Sequence, residues 1–283
     1  MTTESPQAGV RVATTLPALS LRQILLVHLI MFQEALFGCH VFGIRISWLN
    51  RPSRSGVPTA VFDYDRSKFG CPDTTRLSSG SEYRAVIFKH YCETFCVMMK
   101  PFVTRHLCGK EQGPMDKLLG IGHTVTWINF IAKPHFHILA DWAEMDQLIS
   151  HSCLLVSDGN GDKHVLDGTA DQYGRNWKTH WFMAAKELIA NFLDPDHSDP
   201  KKHIWVTNEN GEITVCERLE GKDCSHGERT VGYWVVARRR MEQIFQELNW
   251  TSLRGLSDDD VEERIRSLSK AKFEGAFEDA QSK

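Results

Sequence analysis

The chain has no uninterrupted apolar run long enough to cross a bilayer. Residues 24–32 are apolar, but they are fewer than the roughly 20 residues that a membrane-spanning helix needs, and they include His28. The mostly polar segment before them does not have the pattern of a convincing signal peptide. We therefore expect residues 24–32 to form a buried helix, and we expect no membrane partner.

The sequence also lacks a strong net charge and a regular spacing of cysteines. Its formal net charge is −3, which does not require a nucleic-acid partner, although residues 238–240 form a local basic spot. Its eight cysteines have no regular spacing, and no CxxC or HxxxH pattern supports a zinc site. We expect reduced thiols in a cytoplasmic protein, with no metal and no cofactor.

No internal repeat is present, and apolar patterns of helical and strand periodicity are mixed along the chain. We predict an α+β fold with mixed helices and a mainly antiparallel sheet. Residues 1–20 are expected to form a flexible tail, and residues 21–283 a single catalytic domain. The periodicity predicts a helix over residues 82–100, ended by Pro101, and a strand over residues 233–237.

A predicted β-hairpin carries the most informative pair of residues. Residues 151–157 and 163–169 are short β-prone runs, and the Asp, Gly and Asn residues between them are typical of a turn. If the turn centres on Gly159, His151 lies directly opposite Asp167. Opposed side chains have Cβ atoms roughly 4.5–5.5 Å apart, so the carboxylate could orient a surface-accessible imidazole base. A turn centred between Gly159 and Asn160 would place the two side chains on opposite faces.

Other interpretations of the hairpin remain open. The two residues could form a solvated ion pair without a catalytic role. The spacing of Asp158, Asn160 and Asp162 is similar to the start of a calcium loop, but that loop requires Gly and Glu where this chain has Lys163 and Thr169. A zinc site containing His151 and Cys153 would need a third ligand that no spacing indicates.

The second half of the hairpin resembles that of transglutaminase-like and papain-like cysteine enzymes. In these families a histidine opens one strand and an aspartate in an LDPTA-like sequence closes the next. This chain has Leu-Asp-Gly-Thr-Ala at residues 166–170, so it departs from the pattern at Gly168. The resemblance implies a papain/transglutaminase-like core, with a nucleophilic cysteine before His151 at a helix N-terminus.

The cysteines that precede His151 are Cys39, Cys71, Cys92, Cys96 and Cys108. Cys71 has the most suitable setting, because Pro72 and Asp73 follow it and are typical of the first turn of a helix. Cys92 and Cys96 lie on the apolar stripe of the helix predicted over residues 82–100, where a cysteine is usually a core residue. We therefore predict Cys71 as the nucleophile.

An acidic cluster begins the last predicted helix. Ser257 followed by acidic residues is ordinary helix-capping chemistry. Asp259, Asp260 and Glu263 could instead bind a guanidinium group through charge-assisted hydrogen bonds. The pattern Asp-Asp-x-x-Glu is similar to one found in fungal arginine-containing cyclodipeptide synthases, and it also fits one residue earlier.

Together these features predict an acyl-transfer enzyme that forms peptide bonds from activated aminoacyl groups. The resemblance implies an arginine-containing cyclodipeptide synthase, with arginyl-tRNA as an acyl donor and with Cys71, His151 and Asp167 as the catalytic residues. Without the acidic cluster, the same residues would describe a transglutaminase, or a thiol amidase or peptidase. A catalytically inactive binding module of the same fold is the third alternative.

Overall fold

The computed structural model describes residues 18–39, 42–48, 56–69, 80–108, 122–139, 150–194, 196, 204–208, 210–212 and 228–281. In chain order, its elements are helix α1 (Leu21–Cys39), strands β1 (Phe42–Trp48) and β2 (Thr59–Phe69), helices α2 (Gly80–Phe88) and α3 (Cys92–Cys108), strands β3 (Thr124–Ile131), β4 (His137–Leu139), β5 (Ser150–Ser157) and β6 (Lys163–Leu166), a 3₁₀ turn (Ala170–Tyr173), helix α4 (Trp177–His180), strand β7 (Phe182–Ala184), helix α5 (Ala185–Phe192), strand β8 (Ile204–Val206), helix α6 (Glu228–Glu247), a second 3₁₀ turn (Trp250–Leu253) and helices α7 (Asp258–Phe273) and α8 (Ala276–Gln281). The predicted α+β class is confirmed.

The strands form two sheets, and antiparallel pairing dominates them. The larger sheet has the strand order β7-β6-β5-β3-β8, and all of its neighbouring pairs are antiparallel. The smaller sheet has the order β1-β2-β4, in which β1 and β2 are antiparallel and β2 and β4 are parallel. The larger sheet contains the predicted hairpin as β5 and β6.

Alternate residues of the larger sheet belong to two hydrophobic clusters, because successive side chains of a strand point to opposite faces. Trp127 and Leu154 join the main core, which also contains residues of α1, α3, α6 and α7. Ile128 and Cys153 join a smaller cluster with Leu188 and other residues of α5. The main core draws on residues from Leu19 to Ala276, so nearly the whole described chain contributes to it.

Helix α1 passes through the main core. It is long and apolar enough to cross a membrane by length and composition, but residues 24–32 are all buried inside the molecule. Helix α7 and helix α3 both pack against it. The expectation that residues 24–32 form a buried helix is therefore confirmed.

Two sequence-based predictions of secondary structure are wrong. Residues 82–100 do not form one helix, because α2 ends at Phe88 and His90 adopts a left-handed backbone with φ of 65° before α3 begins at Cys92. Helix α3 then continues through Pro101 to Cys108, although an interior proline removes one N–H donor and crowds the carbonyl four residues before it. The predicted strand at residues 233–237 lies inside α6, where buried Tyr233 and Trp234 pack in the main core.

Candidate active site

The β5–β6 hairpin forms with a register that differs from the predicted one. Leu154 pairs with Leu166, so the turn centres on Asn160 and not on Gly159. Extending this register beyond β6 places Cys153, and not His151, opposite Asp167. The predicted direct pairing was wrong, but the shift is two residues and leaves His151 and Asp167 as diagonal neighbours on the same face.

The longer turn has a local cause in the side chain of Asp158. Its Oδ1 accepts hydrogen bonds from the backbone N–H groups of Asn160 and Asp162, each at 2.9 Å. Gly161 supplies a positive φ of 89° within the same turn. This carboxylate oxygen therefore stabilises the turn.

His151 and Asp167 form a buried hydrogen-bonded pair. The imidazole Nε2 donates to the Asp167 Oδ2 at 2.8 Å, and each side chain is only 1% exposed. The other carboxylate oxygen accepts from the backbone N–H of Thr169 at 2.9 Å. The rings of Phe130 and Tyr173 meet the imidazole edge-on, with centroids 5.2 Å and 4.8 Å away. The expectation of a surface-accessible base was wrong, because these neighbours enclose the ring.

The neighbours of His151 act on its pKa in opposite directions. Burial favours the neutral imidazole, but the negative charge of Asp167, its hydrogen bond and the side chain of Cys92 favour the imidazolium. The net effect raises the pKa of His151 above its ordinary value. A base with this environment retains a proton more readily than a solvated histidine does.

The described cysteine that contacts His151 is Cys92, whereas Cys71 lies outside the described residues. The side chain of Cys92 lies close enough to His151 to favour its protonated form. The backbone N–H of Phe95 donates to the carbonyl of Tyr91 at 2.8 Å, which makes Cys92 the first residue of helix α3. Cys92 is 7% exposed, and its thiol lies at a helix N-terminus beside a histidine base.

Two other buried cysteines have less reactive environments. Burial raises the pKa of the Cys96 thiol, and the nearby Cys153 raises it further. Burial also raises the pKa of the Cys153 thiol, together with the charge of Asp167. Both thiols therefore remain protonated at neutral pH.

Gln172, in the 3₁₀ turn that follows the hairpin, contacts the other nitrogen of the imidazole. Its Nε2 donates to His151 Nδ1 at 3.0 Å and to Thr169 Oγ1 at 2.9 Å. Its Oε1 accepts from the backbone N–H of His90 at 3.3 Å. Gln172 therefore connects the turn before Cys92 to the base, a role that the sequence analysis missed.

The neighbouring residue of the 3₁₀ turn forms a second connection to helix α2. Arg84 Nη2 donates to Asp171 Oδ2 at 2.9 Å, and the Asp171 side chain is 3% exposed. The guanidinium also lies over the rings of Phe88 and Trp177, 4.9 Å and 5.1 Å from their centroids. This ion pair holds the turn that carries Gln172 against the segment that leads to Cys92.

The acidic residues of helix α7 are divided between two faces. Asp260 and Ser257 form a capping box, in which Ser257 Oγ accepts from the Asp260 backbone N–H at 3.2 Å. The exposed carboxylate of Asp259 lies 3.6 Å from Lys178 Nζ in α4. Asp260 and Glu263, by contrast, line a surface pocket together with Glu247. The capping role expected of this cluster is confirmed, but Asp259 does not share the pocket.

Comparisons of this chain with protein-family models, with curated proteins and with solved structures found no match. The function must therefore be inferred from the geometry of the site. That geometry has a cysteine at the start of a helix, a histidine beside it and a carboxylate that orients the histidine. This is the arrangement of side chains that nucleophilic catalysis by a thiol requires.

Proposed function

We propose that this protein is a thiol-dependent acyl-transfer enzyme with Cys92 as its nucleophile. The proposal depends above all on one observation, the position of Cys92 at the start of a helix beside a histidine that Asp167 orients. Cys92 replaces Cys71 in the mechanism because its thiol has a base within reach. The helix dipole also favours negative charge at this position.

The first half of the reaction forms a thioester. Cys92 gives its proton to His151 Nδ1, and the sulfur attacks the carbonyl carbon of an activated acyl group. Negative charge develops on the carbonyl oxygen, where the first backbone N–H groups of helix α3 can donate hydrogen bonds because they have no partner within the helix. The carbon–leaving group bond then breaks, and the imidazolium returns the proton to the leaving group.

The second half transfers the acyl group to an amine. The amine attacks the thioester carbon and gives a proton to His151, and the imidazole passes that proton to the sulfur as the thiol is released. Asp167 stabilises the imidazolium that forms in both halves. The product is an amide, and the enzyme returns to its starting protonation state.

We also propose that the core is of the papain/transglutaminase type. Helix α3 packs against β3 and β5 of the antiparallel sheet, with the candidate nucleophile at its first residue. The base lies on β5, and the carboxylate follows β6. This chain order of cysteine, histidine and aspartate agrees with the order that the resemblance implies.

The acyl donor that we propose is an activated aminoacyl group, specifically arginyl-tRNA, and the product is an arginine-containing cyclic dipeptide. The Asp-Asp-x-x-Glu pattern supports this choice. A further support is the pocket beside α7, because the residues that line it include the acidic Glu247, Asp260 and Glu263 and one basic residue, Arg264. Such a pocket favours a cationic side chain.

Small-molecule profiling of a heterologous host tests the proposal. Expression of the wild-type chain should yield new arginine-containing cyclic dipeptides, measured by liquid chromatography and mass spectrometry. Cys92→Ala should abolish them. Cys71→Ala and Cys96→Ala serve as matched controls, since each removes a thiol without removing the contact to His151, and both should leave the products unchanged. Soluble yield and melting temperature of each variant would show that the folded protein is being compared.

Other outcomes would assign the site differently. Loss of product in Cys71→Ala alone would return the nucleophile role to Cys71. No new metabolite, combined with cleavage of peptide amides in vitro that depends on Cys92, would make the protein a thiol amidase or peptidase, with water as the acceptor. No turnover of either kind, with slow alkylation of Cys92, would make it a catalytically inactive binding module.

A further inference from the structure

We propose that Gln172 is a positioning residue that holds the neutral His151 in the tautomer with its proton on Nε2, by donating a hydrogen bond to Nδ1. The inference rests on the proposed role of Cys92 and His151, and it adds a residue that controls the base. Gln172 is 8% exposed and lies on an element outside the Cys92-His151-Asp167 triad. Its side chain contacts His151 and the backbone of His90, which precedes helix α3.

The orientation of the Gln172 amide follows from its backbone partner. The His90 backbone N–H can only donate, so the amide atom that faces it must be the oxygen, Oε1. The NH₂ group therefore faces His151 Nδ1 and Thr169 Oγ1. A rotated amide would place two donors against each other at His90, so the turn before Cys92 holds the amide in this orientation.

This orientation decides the proton position on His151. An amide N–H can donate only to an unprotonated Nδ1, so the ring carries its proton on Nε2, where it donates to Asp167. A second proton at Nδ1 would place a ring N–H donor directly against the amide N–H donor of Gln172. Gln172 thus acts against Asp167, which draws positive charge onto the ring, because its hydrogen bond lowers the proton affinity of Nδ1.

The proton equilibrium of His151 also depends on the ionisable groups around it. Asp167 favours the imidazolium from the loop after β6, and Cys92 does so from the start of α3. Tyr173 faces the ring from the 3₁₀ turn, and its pKa is raised by burial, so it is uncharged at neutral pH. Cys153 lies two residues along β5 with its thiol protonated. The uncharged side chain of Gln172 differs from these groups because it donates a hydrogen bond to His151 Nδ1.

Histidine titration by ¹⁵N nuclear magnetic resonance tests this assignment without requiring a substrate. The His151 signals are identified by their loss in His151→Ala. Gln172→Leu should raise the pKa of His151 by about 0.5–1 unit, the equivalent of one neutral hydrogen bond. Gln172→Glu should raise it further, because its carboxylate accepts from a protonated Nδ1. Gln23→Leu is the matched control, since it removes a glutamine bonded to the Leu256 carbonyl and should not move the titration.

The order wild type, Gln172→Leu, Gln172→Glu of rising pKa is the expected result, and the acidic limb of turnover should move to higher pH in the same order, because the base must be unprotonated to accept the thiol proton. Equal His151 titrations in all three proteins would overturn the inference, because a purely structural glutamine predicts lower stability without a change in pKa. Failure of the proposed function is separately visible. In that case Cys92→Ala would leave activity unchanged, whatever the His151 titration shows.

Discussion

The groups around His151 make its imidazole bind a proton more strongly in the folded chain than in the unfolded one. Burial is the largest single influence and favours the neutral ring, but the charge and hydrogen bond of Asp167, together with Cys92, outweigh it and raise the pKa of His151. A group whose pKa is raised by folding contributes stability below its unfolded pKa, and this contribution is lost as the pH rises through the folded pKa. The His151–Asp167 pair therefore affects the pH dependence of stability.

We expect Asp167→Asn to remove this pH dependence. In the wild type, His151 should make the free energy of unfolding fall as the pH rises from the ordinary value of 6.5 towards the raised pKa. In Asp167→Asn the slope over this range should be smaller, because an amide does not stabilise the imidazolium. Urea unfolding at several pH values measures both slopes. Parallel curves for the two proteins would show that Asp167 does not hold a proton on His151.

At the scale of elements, the site depends on how helix α3 meets the end of the hairpin. Gly168 is the residue at which the chain departs from the LDPTA-like pattern, and the side chain of Phe95 explains the departure. A Cβ atom at Gly168 would overlap the Phe95 ring, which is fully buried. Helix α3 and the loop that carries Asp167 can therefore approach closely only with glycine at this position.

Gly168→Ala should consequently destabilise the protein by about 1–3 kcal/mol, the usual cost of adding volume to a packed core. The ring of Phe95 would have to move, and Cys92 would move with the helix. Urea unfolding gives the free energy change, and labelling of Cys92 by iodoacetamide gives the effect on the site. The double variant with Phe95→Leu should recover part of the stability. If Gly168→Ala unfolds like the wild type, the contact does not limit this packing.

The start of helix α7 allows capping and substrate recognition to be separated. Asp260→Asn weakens the capping box and should lower the free energy of unfolding by about 0.3–1 kcal/mol. Glu263→Gln should leave stability nearly unchanged but reduce arginine-containing product, because Glu263 lines the pocket and has no part in the cap. Asp259→Asn is the control, since its side chain is 89% exposed and lies outside the pocket. Equal product from Glu263→Gln and the wild type would exclude this pocket from arginine binding.

At the scale of the whole molecule, local patterns predicted more than long-range contacts did. The hairpin follows from two β-prone runs and a turn, so its existence and the shared face of His151 and Asp167 could be predicted. The start of helix α3 could not, because His90 adopts a left-handed turn that is more typical of glycine or asparagine. Gln172 joins the site only through tertiary packing, which no local pattern records.

The separation of Cys92 and His151 along the chain has a consequence for the order of folding. Helix α3 can begin to form from local hydrogen bonds, but its first residue meets His151 only after β3 and β5 have paired and closed the intervening loop. In partly folded chains that already contain native helices, the Cys92 thiol and the His151 imidazole would therefore be apart. The assembled site is a marker of the completed tertiary structure, and it should be among the last features to appear during refolding.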